Sequence, residues 1–389
     1  MTAPPEGFRI YVADRVLDDL HVRLQRTRWS RLESPGWTLG TDRAYLRDLI
    51  GYWHSGYPWR EREALINELM PQRRARAHGV DVHFVHIAPR RPRALPLLLL
   101  HGWPDSFLRY RKVVRELALD FEVIVPSLPG FGFTGPVELS ATQPTRHSAE
   151  ILYRLMTDVL GFDRFGIAGG DGGSVLAQIM ALDHPENITG IHLTDLGWHV
   201  GGTDVHDVTH AERRWLDAVK SQFVADGAYA MVQATRPRSL APALADSPVA
   251  LASWILDRFH SWSDAGDLDK SFSRDDLLDN IMIYWVSNTI SSSMFGYYAD
   301  RRSPSLTPHD YVDRPVGLAL FPKEPGGIPP RRLAERTLDV VRWTEMPHGS
   351  HFAALEEPDR YAADVREFFR GLRARADARK EARHDRPSV

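Results

Sequence analysis

Four glycines surround one carboxylate in Gly169-Gly170-Asp171-Gly172-Gly173, and this pentapeptide carries the most chemical information in the chain. It follows a short apolar run, Phe165 to Ala168, and precedes a helix-like run, Ser174 to Met180. Strand, sharp turn and helix form the setting of a nucleophile elbow. Backbone at such a turn is strained and crowded, so the neighbours of the nucleophile must be very small, and the four glycines supply that. The apex residue is Asp171, where most hydrolases of this layout carry serine. An aspartate there attacks carbon directly and forms an ester with the enzyme. The chemistry narrows to electrophilic alkyl carbons, those of epoxides or alkyl halides. Asp between glycines also occurs in ordinary turns, so weight must come from the rest of the chain.

An ester of this kind needs an oxyanion site, a base and a group that orients the base. His101-Gly102-Trp103-Pro104 follows the strand Leu97 to Leu100, where a loop can aim backbone N–H groups at the reacting carboxylate. Trp103 and Gly172 are the expected oxyanion donors. Pro104 fixes the backbone, and a cis bond before it is open. His351 lies past the last strand, and its ordinary pKa near 6.5 suits a general base. His348 is its local competitor; His351 is preferred because the run Phe352 to Glu357 begins beside it. Glu324, just beyond the preceding strand, is the candidate orienting acid. Alone it reads as a surface charge, but the order Asp171, Glu324, His351 gives it weight.

Other matches lead elsewhere. Gly130 to Gly135 fits GxGxxG, but Pro136 follows and no helix opens there, so a loop is expected. His206 and His210 have helical spacing without the Glu of a zinc-peptidase motif. His83 and His86 lie three apart on a strand and face opposite sides. No Gly-x-Ser-x-Gly occurs, which argues against a serine esterase.

The elements that would carry these residues follow from patterning. Residues 8 to about 75 read as mostly helical: Asp14 can cap the run from Val16 to Leu24, with further helices near Asp42–Trp53 and Trp59–Met70. Val80 to Ile87 alternates as a half-buried strand. Apolar strands then alternate with helices at 97–100, 121–125, 165–168, 190–194, 316–321 and 338–343. That rhythm predicts an α/β fold with a mainly parallel central sheet covered on both faces. Between about 200 and 305 it stops, and an aromatic, helical insertion broken by Pro237, Pro242 and Pro248 is expected over the carboxyl edge of the sheet. The divisions expected are 1–78, 79–199, 200–305, 306–372 and a charged tail, 373–389. Among the aromatics of the insertion, Trp254, Phe259 and Trp262 are read as core before pocket wall. With 389 residues, no cysteine and a net charge of −3, disulfides and thiol chemistry are excluded, and no nucleic-acid or membrane partner is indicated. The N-terminus lacks a signal-peptide pattern, so a cytoplasmic protein is the expectation. No metal and no cofactor are implied, and homodimerisation is left open.

These residues resemble the microsomal-type epoxide hydrolases of the α/β-hydrolase superfamily, from about Phe8 to Phe369. Arg26-Thr27-Arg28-Trp29, Tyr52-Trp53, Trp59 to Glu63 and His83 to His86 look like the leading domain of that family, which haloalkane dehalogenases generally lack. The resemblance implies nucleophile Asp171, base His351, acid Glu324 and an oxyanion motif at His101 to Pro104. It further implies two cap tyrosines that hydrogen-bond the epoxide oxygen, at Tyr229 and at Tyr297, with Tyr298 adjacent and Pro104 beside the substrate. The basic residue usual near the second tyrosine is absent. The family usually carries Trp directly after the nucleophile, whereas this chain has Gly172. Either the site takes a bulkier substrate, such as the complex epoxides of soluble bacterial natural-product (enediyne-type) relatives, or another aromatic fills the gap. The membrane anchor of the animal enzymes is also missing. The implied activity is cofactor-independent conversion of an epoxide to a vicinal diol. Dehalogenation by the same triad, with Trp103 as a halide donor, and a ligand-binding relative without activity are the alternatives.

Overall fold

The computed structural model describes residues 3–32, 36–138, 143–197 and 207–384, with side chains as far as Ala374. Nine strands form one sheet: β1 (Glu6–Phe8), β2 (Gln72–Ala77), β3 (Val80–Ile87), β4 (Leu95–Leu100), β5 (Phe121–Pro126), β6 (Phe165–Gly169), β7 (Ile188–Leu193), β8 (Val312–Leu320) and β9 (Leu338–Glu345). Their order is β1-β2-β3-β5-β4-β6-β7-β8-β9. β2 runs antiparallel to both β1 and β3, and β3 is antiparallel to β5; all later pairings are parallel. The carboxyl ends of β4, β6, β7, β8 and β9 therefore open on one edge.

Leu97 to Leu100 are all fully buried, because helices cover both faces of the central strands. Each such leucine contributes roughly 1.5–3 kcal/mol of burial. One face is closed by the helix Gly172–Asp183 and the other by the C-terminal helix Pro358–His384. The second fits closely because β6, β7 and β8 have glycines beneath it. A Cβ on Gly166 would stand 2.4 Å from the Phe369 ring, and one on Gly190 2.6 Å from Leu372.

Several expectations change. The segment 8–75 is not wholly helical: its end, Gln72 to Ala77, is β2, with alanines inward and arginines outward, and β1 pairs beside it. Ala13, not Asp14, occupies the N-cap of the first helix; Asp14 instead pairs with Arg60. Asp42 does cap the next helix, accepting from the Tyr45 N–H at 2.7 Å. Pro237 and Pro248 begin helices, where their missing N–H groups cost nothing, while Pro242 lies inside one. The last helix continues to His384, into the expected tail.

The insertion forms a cap of helices, including His210–Asp226, Ala228–Thr235, Pro237–Asp246, Pro248–Ser261, Arg274–Ser287 and Phe295–Arg302. Asp279 ties it to the rest. Its fully buried carboxylate accepts from the Tyr57 hydroxyl (2.7 Å), Arg62 Nε (3.0 Å) and Arg111 Nη1 (2.8 Å). Cap, N-terminal segment and sheet domain thus share one buried charge. Among the described residues no single helix is long and apolar enough to cross a membrane.

Candidate active site

Asp171 follows directly on β6 and precedes the helix that starts at Gly172, with φ 57° and ψ −129°. Such backbone is strained for any residue with a side chain. The surrounding glycines are set by space. A Cβ would stand 2.6 Å from the Gly173 carbonyl oxygen at Gly169, 2.5 Å from Thr194 Oγ1 at Gly170, and 2.1 Å from the Leu100 carbonyl oxygen at Gly173. Gly172 is different. A Cβ there would meet only Gly102 Cα, at 3.8 Å. Three of the four glycines are thus required by close approach, and the fourth is not. Among the described residues no aromatic stands within 4 Å of that position.

The loop after β4 supplies the expected donors. The Trp103 N–H donates to Asp171 Oδ1 at 2.8 Å, and the backbone N–H of Gly172 also favours the charged form of that carboxylate. Gly102 must be glycine, since a Cβ would fall 2.0 Å from Asp171 Oδ1. The Trp103–Pro104 peptide is cis. Pro104 is buried, offers its carbonyl to Asn280 Nδ2 at 2.8 Å, and does not line the cavity described below.

His351 and Glu324 converge on the other carboxylate oxygen. His351 Nδ1 lies 2.9 Å from Glu324 Oε1, and Nε2 lies 3.7 Å from Asp171 Oδ2, too far for a hydrogen bond. Neither Nε2 nor Oδ2 has a hydrogen-bonding partner. Burial pushes the His351 pKa down, but the charge and hydrogen bond of Glu324, followed by the charge of Asp171, outweigh it and raise it to about 9. Burial raises the Asp171 pKa, against His351 and the two backbone N–H groups. His348 takes no part: it is exposed and bonds Glu357 at 2.6 Å.

Above the carboxylate the Tyr229 ring stacks on Trp103, 5.3 Å between centroids, and Tyr297 meets both rings edge-on. The Tyr229 hydroxyl is buried without a hydrogen-bonding partner, beside the Tyr297 hydroxyl. Burial, reinforced at Tyr229 by the Asp171 charge and at Tyr297 by Tyr229 and Asp171, pushes both phenols well above their ordinary pKa, so both stay protonated donors. Tyr298 lines the large cavity described below, with Arg302 over its face at 3.4 Å. Of the two adjacent tyrosines, the fold brings Tyr297 to the nucleophile.

Asp171 stands between two cavities. One, of about 1460 Å³, has Gly102, Trp103, Asp171 and Gly172 at its floor and Phe131, Leu176, Phe223 and Phe295 among its walls. The other, of about 70 Å³, is bounded by Asp171, Asp195, Glu324 and His351. At roughly 30 Å³ per water, it admits about two.

Two participants, Asp195 and Arg109, escaped the reading of the sequence, and a third, Trp262, is core that also touches the site. Asp195, at the end of β7, accepts from the backbone N–H of Asp171 (2.7 Å) and from Ser174 Oγ (3.0 Å). Burial, with the charge of Glu324, raises its pKa to about 6. Arg109 pairs with Asp105, which accepts from the Gly102 N–H at 3.0 Å, and donates from Nη2 to the His351 carbonyl at 2.5 Å. One buried guanidinium thus fastens the oxyanion loop to the histidine loop. Trp262 packs against both His351 (4.8 Å) and Tyr229 (5.3 Å), while Phe259 is core, stacked on Phe352. For Asp195 the available signal was its place, an acid ending the strand next to the elbow strand. Elsewhere, Gly130 to Gly135 is a loop, His83 is buried between Ser127 and Gln72, and His86 pairs with Glu122. His210 begins a cap helix beside Arg214, and His206 lies outside the described residues. No cluster able to hold a metal occurs among the described residues.

A mainly parallel sheet, an aspartate elbow backed by His and Glu, and a helical cap define an α/β-hydrolase with a carboxylate in the nucleophile position. Comparison narrows the class. The family model described as "Epoxide hydrolase N terminus" matches residues 5–110, and that of the alpha/beta hydrolase fold matches 96–284. Epoxide hydrolase 1 of Oryctolagus cuniculus is 32% identical over 406 residues, covering 93% of this chain and 88% of the relative. Juvenile hormone epoxide hydrolase 2 of Ctenocephalides felis is 34% identical over 402 residues, covering 92% and 84%. The crystal structure of juvenile hormone epoxide hydrolase from Bombyx mori superposes with a TM-score of 0.87 at 26% identity, covering 96% of both chains. The chain belongs to the epoxide hydrolase family.

Proposed function

We propose that this enzyme opens a bulky epoxide and hydrolyses it to a vicinal diol through an ester on Asp171. The observation that carries the reading is the asymmetry of that carboxylate. Oδ1 is held by the Trp103 N–H at 2.8 Å, while Oδ2 is buried and bonded to nothing. Oδ2 is the free lone pair that attacks carbon; Oδ1 becomes the ester carbonyl and then the oxyanion, already seated among its donors. Tyr229 and Tyr297 donate to the ring oxygen and protonate it as the C–O bond breaks. Ester formation removes the Asp171 charge, one of the causes that hold a proton on His351. The imidazole then returns toward its basic form when a base is required. Water drawn from the small cavity gives a proton to Nε2 as its oxygen adds to the ester carbonyl. The bond from that carbon to the alkyl oxygen then breaks, and the alkoxide takes the proton from His351 and leaves as the diol. The proton left on the Asp171 carboxyl restores the phenol.

The open space at Gly172 and the large cavity support a substrate well beyond simple alkyl epoxides, of the kind found in secondary metabolism. Pockets for drug-sized ligands span roughly 300–1,000 Å³, below the volume found here. One feature favours a second reading: the buried indole N–H of Trp103 lacks a partner, as a halide donor would. Two phenols above the nucleophile suit an epoxide oxygen better. Halide release from haloalkanes without any epoxide turnover is the result that would favour dehalogenation. The direct test is His351→Gln exposed to styrene oxide and to larger aryl epoxides, followed by intact mass. A stable adduct of one epoxide on the Asp171 peptide is expected; its absence in a folded variant overturns the ester route.

A further inference from the structure

The large cavity also carries a charge pattern that the triad does not use. Arg236, Arg238 and Arg301 all line it and all are exposed, whereas Asp171 at its floor is buried. They come from three places in the cap. Arg236 ends the helix Ala228–Thr235, Arg238 lies in the first turn of Pro237–Asp246, and Arg301 sits near the end of Phe295–Arg302. Arg236 reaches only the Thr235 carbonyl, at 3.4 Å, and Arg301 only Met231 Sδ, at 3.7 Å. Among the described residues none of the three pairs with a carboxylate, in a chain whose net charge is −3.

Beyond the nucleophile, the carboxylates on this cavity are Glu138 and Asp300. Asp300 is half-buried and accepts from Ser305 Oγ at 3.0 Å. Among the exposed charges of the lining, three arginines thus stand against Glu138, and the same cavity is walled by Val137, Leu176, Phe223 and Phe295. Guanidinium groups present planar donor forks that match oxyanions, and an unpaired set at one mouth attracts them from a distance.

Building on the epoxide reading, we infer that the substrate is an epoxide joined through a large apolar body to an anionic group, a carboxylate or a related oxyanion, held by Arg236, Arg238 and Arg301. The ring reaches Asp171 and the phenols, the body fills the space left by Gly172, and the anion stays at the mouth.

The test uses an aryl epoxide extended by a rigid two-ring spacer that ends in a carboxylate, a methyl ester or a sulfonate, alongside styrene oxide. At low salt, kcat/KM for the acid should exceed that of its ester about tenfold, equivalent to about 1.4 kcal/mol. That ratio should shrink toward 1 at about 0.5 M salt as the mouth is screened. The triple variant R236Q/R238Q/R301Q should bring the acid-to-ester ratio to about 1, the ester in the same variant serving as the reference. Preference for the sulfonate as well as the acid assigns a general oxyanion site; preference for the acid alone assigns a planar carboxylate. An acid no better than its ester in the parent enzyme, or a ratio that the triple variant leaves intact, overturns the inference. Turnover of styrene oxide reports the parent reading separately: if it and every other epoxide fail, that reading falls and this one with it.

Discussion

Asp279 and Asp171 are both buried aspartates, yet their surroundings differ completely. Asp279 receives four hydrogen bonds, from Tyr57, from two nitrogens of Arg62 and from Arg111. Asp171 sits on strained backbone, receives the Trp103 N–H on Oδ1, and keeps Oδ2 unbonded, 3.7 Å from an imidazole that is itself unbonded at Nε2. Saturating a buried carboxylate stabilises the fold and removes its reactivity. Leaving one oxygen bare costs stability and keeps a nucleophile. The difference separates a group that joins three parts of the molecule from a group that does chemistry.

Exchanging the charge at each site should break the symmetry most. Asp279→Asn takes from Arg62 and Arg111 the one fully buried carboxylate they share, leaving them Asp275 and Asp276, and should cost about 3 kcal/mol of stability in chemical denaturation. Asp171→Asn should abolish turnover while stability stays within about 1 kcal/mol of the parent or rises, because a strained, half-bonded charge is relieved. A large destabilisation by the second variant would remove the contrast.

Next in size is the phenol that stacks on Trp103. Tyr229→Phe deletes one donor to a developing alkoxide and should lower the rate of ester formation by about 10- to 100-fold, at roughly 1.5–3 kcal/mol for a hydrogen bond to charge. Stopped-flow single turnovers separate this step from hydrolysis, which should be little changed. Equal slowing of both steps would mean that Tyr229 acts on packing.

The smallest effect tests the third group. Glu324 supplies the largest opposition to the burial that lowers the His351 pKa. Hydrolysis of the ester needs neutral His351, so its rate rises with pH through the pKa of that group. Glu324→Gln lowers that pKa, so the acidic limb should move to lower pH, by about one unit. The plateau should fall as the forming imidazolium loses its partner. Decay of the Asp171 ester followed against pH would show both; a limb that stays in place would contradict the role of Glu324.

The contrast also explains what could be read from the residues. The elbow, the loop after β4 and the order Asp171, Glu324, His351 are legible because each motif is local and sits at a strand end. The oxyanion, acid and histidine loops announce themselves through short runs with fixed chemistry. Asp279, Arg109 and Asp195 are lone charges whose meaning depends on partners more than 20 residues away in most cases, such as Arg62 for Asp279 and His351 for Arg109. Strand β2 goes unannounced, inside a segment read as mostly helical, because Arg73 and Arg74 both face outward and break a two-residue alternation; pairing with β3 decides its conformation. The requirement at Gly172 was overestimated since only the packing around it reveals that the Cβ position faces open space.

The most direct test of the central claim is isotopic. The parent enzyme is taken through several turnovers of an epoxide in 18-oxygen water, and the peptide containing Asp171 is then weighed. Water attack on the ester carbonyl predicts heavy oxygen in that carboxylate. Diol formation with an unlabelled Asp171 would contradict the account.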